Sequence, residues 1–168
     1  FTVYGERGHE NHAVIAMIAR AFVKQDPFEV WGNGEQIRNW TYVGDIVSGT
    51  IRAAECVDDG TAINLGTMER TRVIDAVREV LRYTGHHARI QLRPDMPTGP
   101  MNRVADNSQA MKLLGWEPQM KFMDGLHRTI EWYFSAKDRA KVSAVLDQLL
   151  TERQPAAAAV ESRAAVAD

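Results

Sequence analysis

Val30-Trp31-Gly32-Asn33-Gly34-Glu35-Gln36-Ile37-Arg38-Asn39-Trp40-Thr41-Tyr42-Val43-Gly44-Asp45-Ile46 is the stretch on which the reading of this chain turns. Gly32-Asn33-Gly34 reads as a tight, hairpin-like turn. Ile37 to Val43 reads as extended chain, with Ile37, Asn39, Thr41 and Val43 on one side and Arg38, Trp40 and Tyr42 on the other. Asp45 is placed to cap a helix running to about Cys56.

Upstream, Ala13 to Lys24 puts Val14, Ile15, Ile18 and Phe22 on one helical face, Pro27 follows its end, and Phe28 to Trp31 forms a short strand. Downstream, the spacing predicts a strand over Ala62 to Leu65, a helix capped by Thr71 and closed by Gly85, and a strand near Arg89 to Leu92. Arg93 to Pro100 holds three prolines and is a loop of fixed shape. A short helix begins at Asn107 or Ser108 and ends at Gly115, and Asp124 caps a last helix containing Leu126, Ile130, Tyr133 and Phe134. The fold class is α/β: a small mixed sheet with flanking helices, not a complete doubly wound sheet. Residues 1–150 are expected to form one domain, and 151–168, where Pro155 and a run of alanines have little to bury, a disordered tail.

The 168 residues carry a net charge of -2, which gives no electrostatic footprint for nucleic acid or an acidic membrane. No apolar run approaches a membrane span, and Cys56, the single cysteine, excludes an internal disulfide and a multi-cysteine zinc site. A cytoplasmic protein is the default. His9-Glu10-Asn11-His12 lacks the H-E-x-x-H spacing, so no metal is expected. The chain enters on a strand-like Phe1-Thr2-Val3-Tyr4-Gly5 with no initiator Met, which points to a chain joined in the middle.

The quoted stretch closely resembles the G-x-G-x-Q-x-R-[DN]-[FW]-x-Y-V-x-D signature of extended short-chain dehydrogenase/reductase enzymes that act on sugar nucleotides. Further pieces follow in the order of that family. Phe1-Thr2-Val3-Tyr4-Gly5 is similar to its F-N-x-Y-G strand end, and Ile63-Asn64-Leu65-Gly66 to its Y-N-I-G strand. Arg103-Val104-Ala105-Asp106-Asn107-Ser108, Leu114-Gly115-Trp116-Glu117-Pro118 and Gly125-Leu126 with Thr129 to Tyr133 are similar to its closing region. The resemblance implies the C-terminal, substrate-binding part of an NAD-dependent epimerase or 4,6-dehydratase, a homodimer at full length. Its N-terminal Rossmann half would hold NAD and the catalytic Tyr-x-x-x-Lys pair.

Gly32-Asn33-Gly34 has no third glycine at position 37 and does not match a dinucleotide fingerprint. Tyr133-Phe134-Ser135-Ala136-Lys137 matches Tyr-x-x-x-Lys literally but lies downstream of every binding motif, so Tyr133 is expected in the core and Lys137 in solvent. This part alone is expected to be inactive; a stand-alone nucleotide-sugar binding module or an inactive scaffold are the alternatives.

A sugar nucleotide offers two phosphates, which the fixed fork of an arginine suits. The resemblance places Arg38 as the diphosphate arginine and Arg103 as the second, with Arg93 competing; any of them could instead pair with a surface carboxylate. Glu29-Val30-Trp31 corresponds to the strand flanking the base. A carboxylate at Glu29 can accept from both the ring N–H and the amino group of guanine, which would suit a GDP-linked sugar; the alternative is a solvated strand glutamate, which leaves the nucleotide open. Thr2 stands where relatives have Asn, Asn64 could reach the nucleotide or satisfy neighbouring backbone, and Val14 corresponds to a position near the base or to plain core.

Overall fold

The computed structural model describes residues 2–151; the expected tail beyond Thr151 lies outside them. The elements run β1 (Val3–Tyr4), α1 (Ala13–Phe22), β2 (Phe28–Trp31), β3 (Ile37–Arg38), β4 (Thr41–Tyr42), α2 (Val43–Cys56), β5 (Thr71–Arg72), α3 (Val73–Tyr83), β6 (Ile90–Arg93), β7 (Asn102–Arg103), α4 (Ser108–Leu114), α5 (Phe122–Ala136) and α6 (Arg139–Thr151). The strands form three small sheets. β1 pairs with β4 and β2 with β6, both in parallel, while β3 lies between antiparallel β5 and parallel β7.

Hydrophobic patterning explains the layers. β2 alternates, burying Phe28 and Val30 and leaving Glu29 and Trp31 half-buried on the other face. α1 is buried from Val14 to Phe22 because it packs against α3, α5 and α6. Large side chains such as Phe28, Ile15, Leu126 and Tyr133 are fully covered, and each contributes about 1.5–3 kcal/mol by leaving water. Tyr4 anchors β1 to α5. Its hydroxyl donates to the Phe122 carbonyl at 3.1 Å, and its ring meets Tyr42 and Phe122 edge-on. Gly125 permits this approach, since a Cβ there would collide with the Tyr4 hydroxyl. A second cluster seats Trp116, Ala110 and Leu114 against Leu65 and Ile63.

Several local expectations change. Ile37 to Tyr42 is not one alternating strand: β3 and β4 belong to different sheets, and Asn39, Trp40, Thr41 and Tyr42 are all buried. Residues 62–65 form no strand. Nearby, the chain is tied to β4 by side chains, with Thr67 N donating to Thr41 Oγ1 at 3.0 Å and Asn39 Nδ2 to the Thr67 carbonyl at 3.2 Å. Thr71 lies in β5, and α3 begins two residues later. Asp45 and Asp124 sit inside the first turns of α2 and α5 rather than at their caps. Helix α6 was not expected; Asp138 starts it, accepting from Lys141 N at 3.0 Å. Gly115 does end α4 in the left-handed conformation, at φ 59°.

Asp45 joins two parts of the chain. Its carboxylate, 7% exposed, accepts from Gln119 N and Met120 N, both at 3.0 Å, and so ties α2 to the segment entering α5. Asp45→Ala strands two backbone donors, and urea unfolding should show a loss of about 2–3 kcal/mol; a change below about 0.5 kcal/mol contradicts this role.

Glu79 on α3 is held at about 2, against an ordinary 4.5, chiefly by hydrogen bonds from Arg82; burial opposes the shift and His127 adds to it. Because the folded pKa lies below the unfolded one, the stabilisation is complete above about pH 4.5 and is lost as pH falls toward 2. Glu79→Gln should therefore flatten the acid limb of stability in that window, measured by denaturant unfolding at stepped pH. An unaltered limb contradicts the assignment.

Candidate functional site

Arg38 reaches its place through the glycines before it. Gly32 and Gly34 both take φ 79°, and a Cβ on Gly32 would collide with the Gln36 amide and Thr98. The turn is not a hairpin, because β2 and β3 do not pair; it carries the chain from one sheet to another. Gln36 folds back, its Nε2 donating to the Trp31 carbonyl at 3.3 Å, and β3 starts at the next residue.

In the parallel register of β3 and β7, Arg38 stands opposite Arg103. The two guanidinium stems therefore rise from one face of strands about 4.8 Å apart. Arg38 Nη1 donates to the carbonyls of Ile37 at 2.8 Å and Pro100 at 2.7 Å, and Nη2 to that of Thr98 at 2.7 Å. Those bonds use three of the roughly five N–H donors of a guanidinium, so part of the fork stays free. Among the described residues, no carboxylate lies within ion-pair distance of either arginine. Burial, and then the charge of Arg103, lowers the pKa of Arg38 from its ordinary value. An arginine stays charged at neutral pH even so, and an anion placed between the pair would relieve their repulsion.

The pair lines a chamber of about 580 Å³, together with Thr2, His12, Trp31, Gln36 and Thr98. A smaller, mostly apolar slot of about 130 Å³ lies between α1 and α3 on the floor of β2, lined by Ala16, Met17, Arg20, Glu29, Val30 and Val77. Ala13, Trp31 and Val73 belong to both linings, so the chamber and the slot share a wall. Five buried side-chain atoms among the described residues hydrogen-bond to no other protein group, and three of them, on Asn11, Arg20 and Gln36, belong to residues of these two cavities. Buried polar atoms are normally satisfied, so these three unpartnered groups set the two cavities apart from the packed core.

Of the residues singled out in the sequence, Thr2, Trp31, Arg38 and Arg103 line the chamber, and Glu29, Val30 and Trp31 line the slot. Val14 is 1% exposed and packs in the core. Asn64 is exposed and lines neither cavity. Arg93 also lies outside both linings: its Nη1 donates to Glu29 Oε1 at 3.1 Å and its Nε and Nη2 to Asp95. Sequence reasoning passed over Gln36, His12 and Arg20. A signal existed for Arg20, since Ala13, Ala16, Met17 and Arg20 repeat at the i, i+3, i+4, i+7 spacing of one helix face.

Lys137 is not simply solvated, contrary to expectation. Glu10 Oε1 accepts from Lys137 Nζ at 2.8 Å and from the Tyr133 hydroxyl at 3.1 Å, and Tyr133 is fully buried. Burial, then the charge of Glu10, raises the Tyr133 pKa far above its ordinary value. The Tyr-x-x-x-Lys match is thus a clamp between α5 and the loop before α1. Glu10 is committed to that clamp.

Comparison with known proteins agrees with this geometry. The family described as GDP-mannose 4,6 dehydratase matches residues 1–129. The chain is 33% identical to a UDP-glucuronate 4-epimerase of Thermodesulfobacterium geofontis over 79% of its own length and 41% of that protein. It is 30% identical to GDP-mannose 3,5-epimerase 1 of rice, Oryza sativa, over 83% of its length and 36% of that protein. In three dimensions it superposes on the UDP-glucuronic acid 4-epimerase of Bacillus cereus, solved with UDP-glucuronic acid and NAD, with a TM-score of 0.75 at 29% identity, covering 82% of this chain and 44% of that one. The chain thus spans less than half the length of the relatives it matches. With the family signature spread over most of its length and folded as in these relatives, the chain belongs to the GDP-mannose 4,6 dehydratase family of sugar-nucleotide epimerases and dehydratases.

Proposed function

We propose that this chain grips the nucleoside diphosphate of a sugar nucleotide, as the substrate-binding part, residues 1–150, of an NAD-dependent epimerase or 4,6-dehydratase. The observation that carries the reading is the pair Arg38 and Arg103, in register on adjacent strands with no carboxylate among the described residues within ion-pair distance. A diphosphate supplies the anion that such a pair lacks, and charged hydrogen bonds of this kind are the stronger ones. The chamber takes the diphosphate and sugar, and the adjoining apolar slot takes the base. Glu29, with one oxygen held by Arg93, presents the other toward a guanine, which favours a GDP-linked sugar.

Grip and orientation are the contribution of these residues. The described residues do not suit a dinucleotide: the G-x-G turn at Gly32 leads from strand to strand and not into a helix N-terminus. The Bacillus cereus epimerase is bound to NAD. NAD, and the proton transfers that accompany it, fall to the portion of the relatives that this chain does not match, and the whole protein acts as a homodimeric, cytoplasmic enzyme.

Arg103 offers the cleaner test, because it is exposed and makes no side-chain bond that the fold needs. Arg103→Ala should weaken the binding of GDP- or UDP-sugars by about 1.5–3 kcal/mol, roughly tenfold to a hundredfold, without lowering thermal stability. Arg38→Ala should do the same and in addition free the carbonyls of Thr98 and Pro100. Isothermal titration of the full chain checks both, and unchanged affinity in Arg103→Ala overturns the assignment.

A further inference from the structure

Tyr133 of α5 and Lys137, which caps the end of that helix, close on one oxygen of Glu10. Lys137 Nζ also lies 5.9 Å from the centre of the Trp132 ring and 5.5 Å from that of Tyr133. Burial on its own would raise the Glu10 pKa; the bonds from Lys137, from its own backbone and from Tyr133 outweigh it and lower the value, so the clamp is charged at neutral pH. A second carboxylate of the same loop is held in the same way. Glu6 accepts from the Tyr42 hydroxyl at 2.6 Å and from Arg128 Nε at 2.7 Å. The chain between β1 and α1 is thus pinned to α5 twice, at Arg128 and at Lys137.

Between the two pins Arg7 takes φ 64°, the left-handed region that a residue with a Cβ avoids. Backbone of this kind persists only where its surroundings over-determine it. A loop that merely joined a strand to a helix would relax with glycine at that position. What the held conformation presents is the run Asn11-His12-Ala13: Asn11 lines the slot, His12 the chamber, and Ala13 both. The loop's own backbone bonds lead to the same place, with Gly8 N donating to the Gly5 carbonyl at 3.2 Å and His12 N to the His9 carbonyl at 3.0 Å. His12 shares the chamber lining with Arg38 and Arg103, and one ring nitrogen of an imidazole is always available as a donor. Neither Tyr133 nor Lys137 lines either cavity. Their influence on the chamber therefore runs through Glu10, which directly precedes Asn11 in the chain.

We propose that Tyr133 and Lys137 are positioning residues for the chamber: by fixing Glu10 they set the step from Asn11 to His12, and so place the imidazole against an anion held by Arg38 and Arg103. The inference rests on the reading of this chain as a nucleoside-diphosphate binder. It goes beyond it by giving the Tyr-x-x-x-Lys run, remote from the signature motif, a part in ligand affinity exerted without touching the ligand. Groups that bind a ligand must be held to a fraction of an ångström by neighbours that are themselves locked, and a charged clamp on a strained loop supplies that lock.

The test uses the full chain, titrated calorimetrically with UDP and GDP. His12→Ala should lower the affinity for both by about fivefold, the worth of one hydrogen bond. Lys137→Met should lower both by about the same factor, while Lys137→Arg, which keeps the charged bond to Glu10, should stay within about twofold. The double variant separates positioning from a plain structural part. Because Lys137 acts through His12, adding His12→Ala to Lys137→Met should cost less than about twofold more, whereas the losses of independent residues multiply. A further loss of about fivefold in the double variant overturns the proposal, and so does unchanged affinity in Lys137→Met. Hydrogen exchange of the unmodified chain gives a reading that needs no variant: the amides of Gly8 and His12 should exchange at least about tenfold more slowly than in free chain, and exchange at the free-chain rate overturns the proposal. If Arg103→Ala weakens binding and Lys137→Met does not, the phosphate reading stands and only the positioning role fails. If the unmodified chain binds no diphosphate, both fall together.

Discussion

Three hydrogen bonds from one guanidinium to backbone carbonyls organise this site. Arg38 holds Ile37, Thr98 and Pro100 together, so the strand that carries the arginine and the proline-rich loop over it are fixed by the same group that faces the chamber. A loop of residues 94–100 has little apolar surface to bury and needs such a tether. Because the tether uses only part of the donor fork, Arg38 can be structural and still meet an anion. The lysine alternative, a point charge on a flexible stem, could not serve both ends.

The same economy of position recurs in the helices. α1 is buried on nearly every side, yet one of its stripes ends in a charge. α5 uses Gly125 to admit Tyr4 and Tyr133 to meet Glu10, and so fixes β1 and the loop before α1 relative to the core. Both contacts act on the chain leading to Thr2 and His12 at the rim of the chamber. The site is thus supported from α5, far from it in sequence, through packing and two hydroxyl bonds.

How much of this could be read in the sequence depends on the range of the interaction. The helices α1, α3 and α5 and the strand β2 follow from local periodicity, and Gly115 as a helix stop from local backbone chemistry. The motif around Arg38 marked the chamber, and the resemblance brought Arg103 to it. The pairing that sets these two side by side joins strands more than sixty residues apart, beyond what local periodicity records. Asp45 was legible as important but not for the right reason: a carboxylate that looks like a cap is taken up by two distant backbone donors. Lys137 looked like a surface residue until the fold brought Glu10 against it. The strand expected at residues 62–65 does not form, and the chain just beyond it is held by side chains of Thr41 and Asn39 bonded to Thr67, contacts that local periodicity does not record.

Trp31 stands in the wall between chamber and slot, with Ala13 and Val73 completing it. A molecule long enough to lie across that wall is held at two points, and seating either end delivers the other at a high effective concentration. Modest contacts at each end then multiply instead of merely adding up. Fragments of such a molecule, a free base or a free diphosphate, forfeit that gain, so discrimination between whole ligands can be sharp even where each cavity alone is permissive.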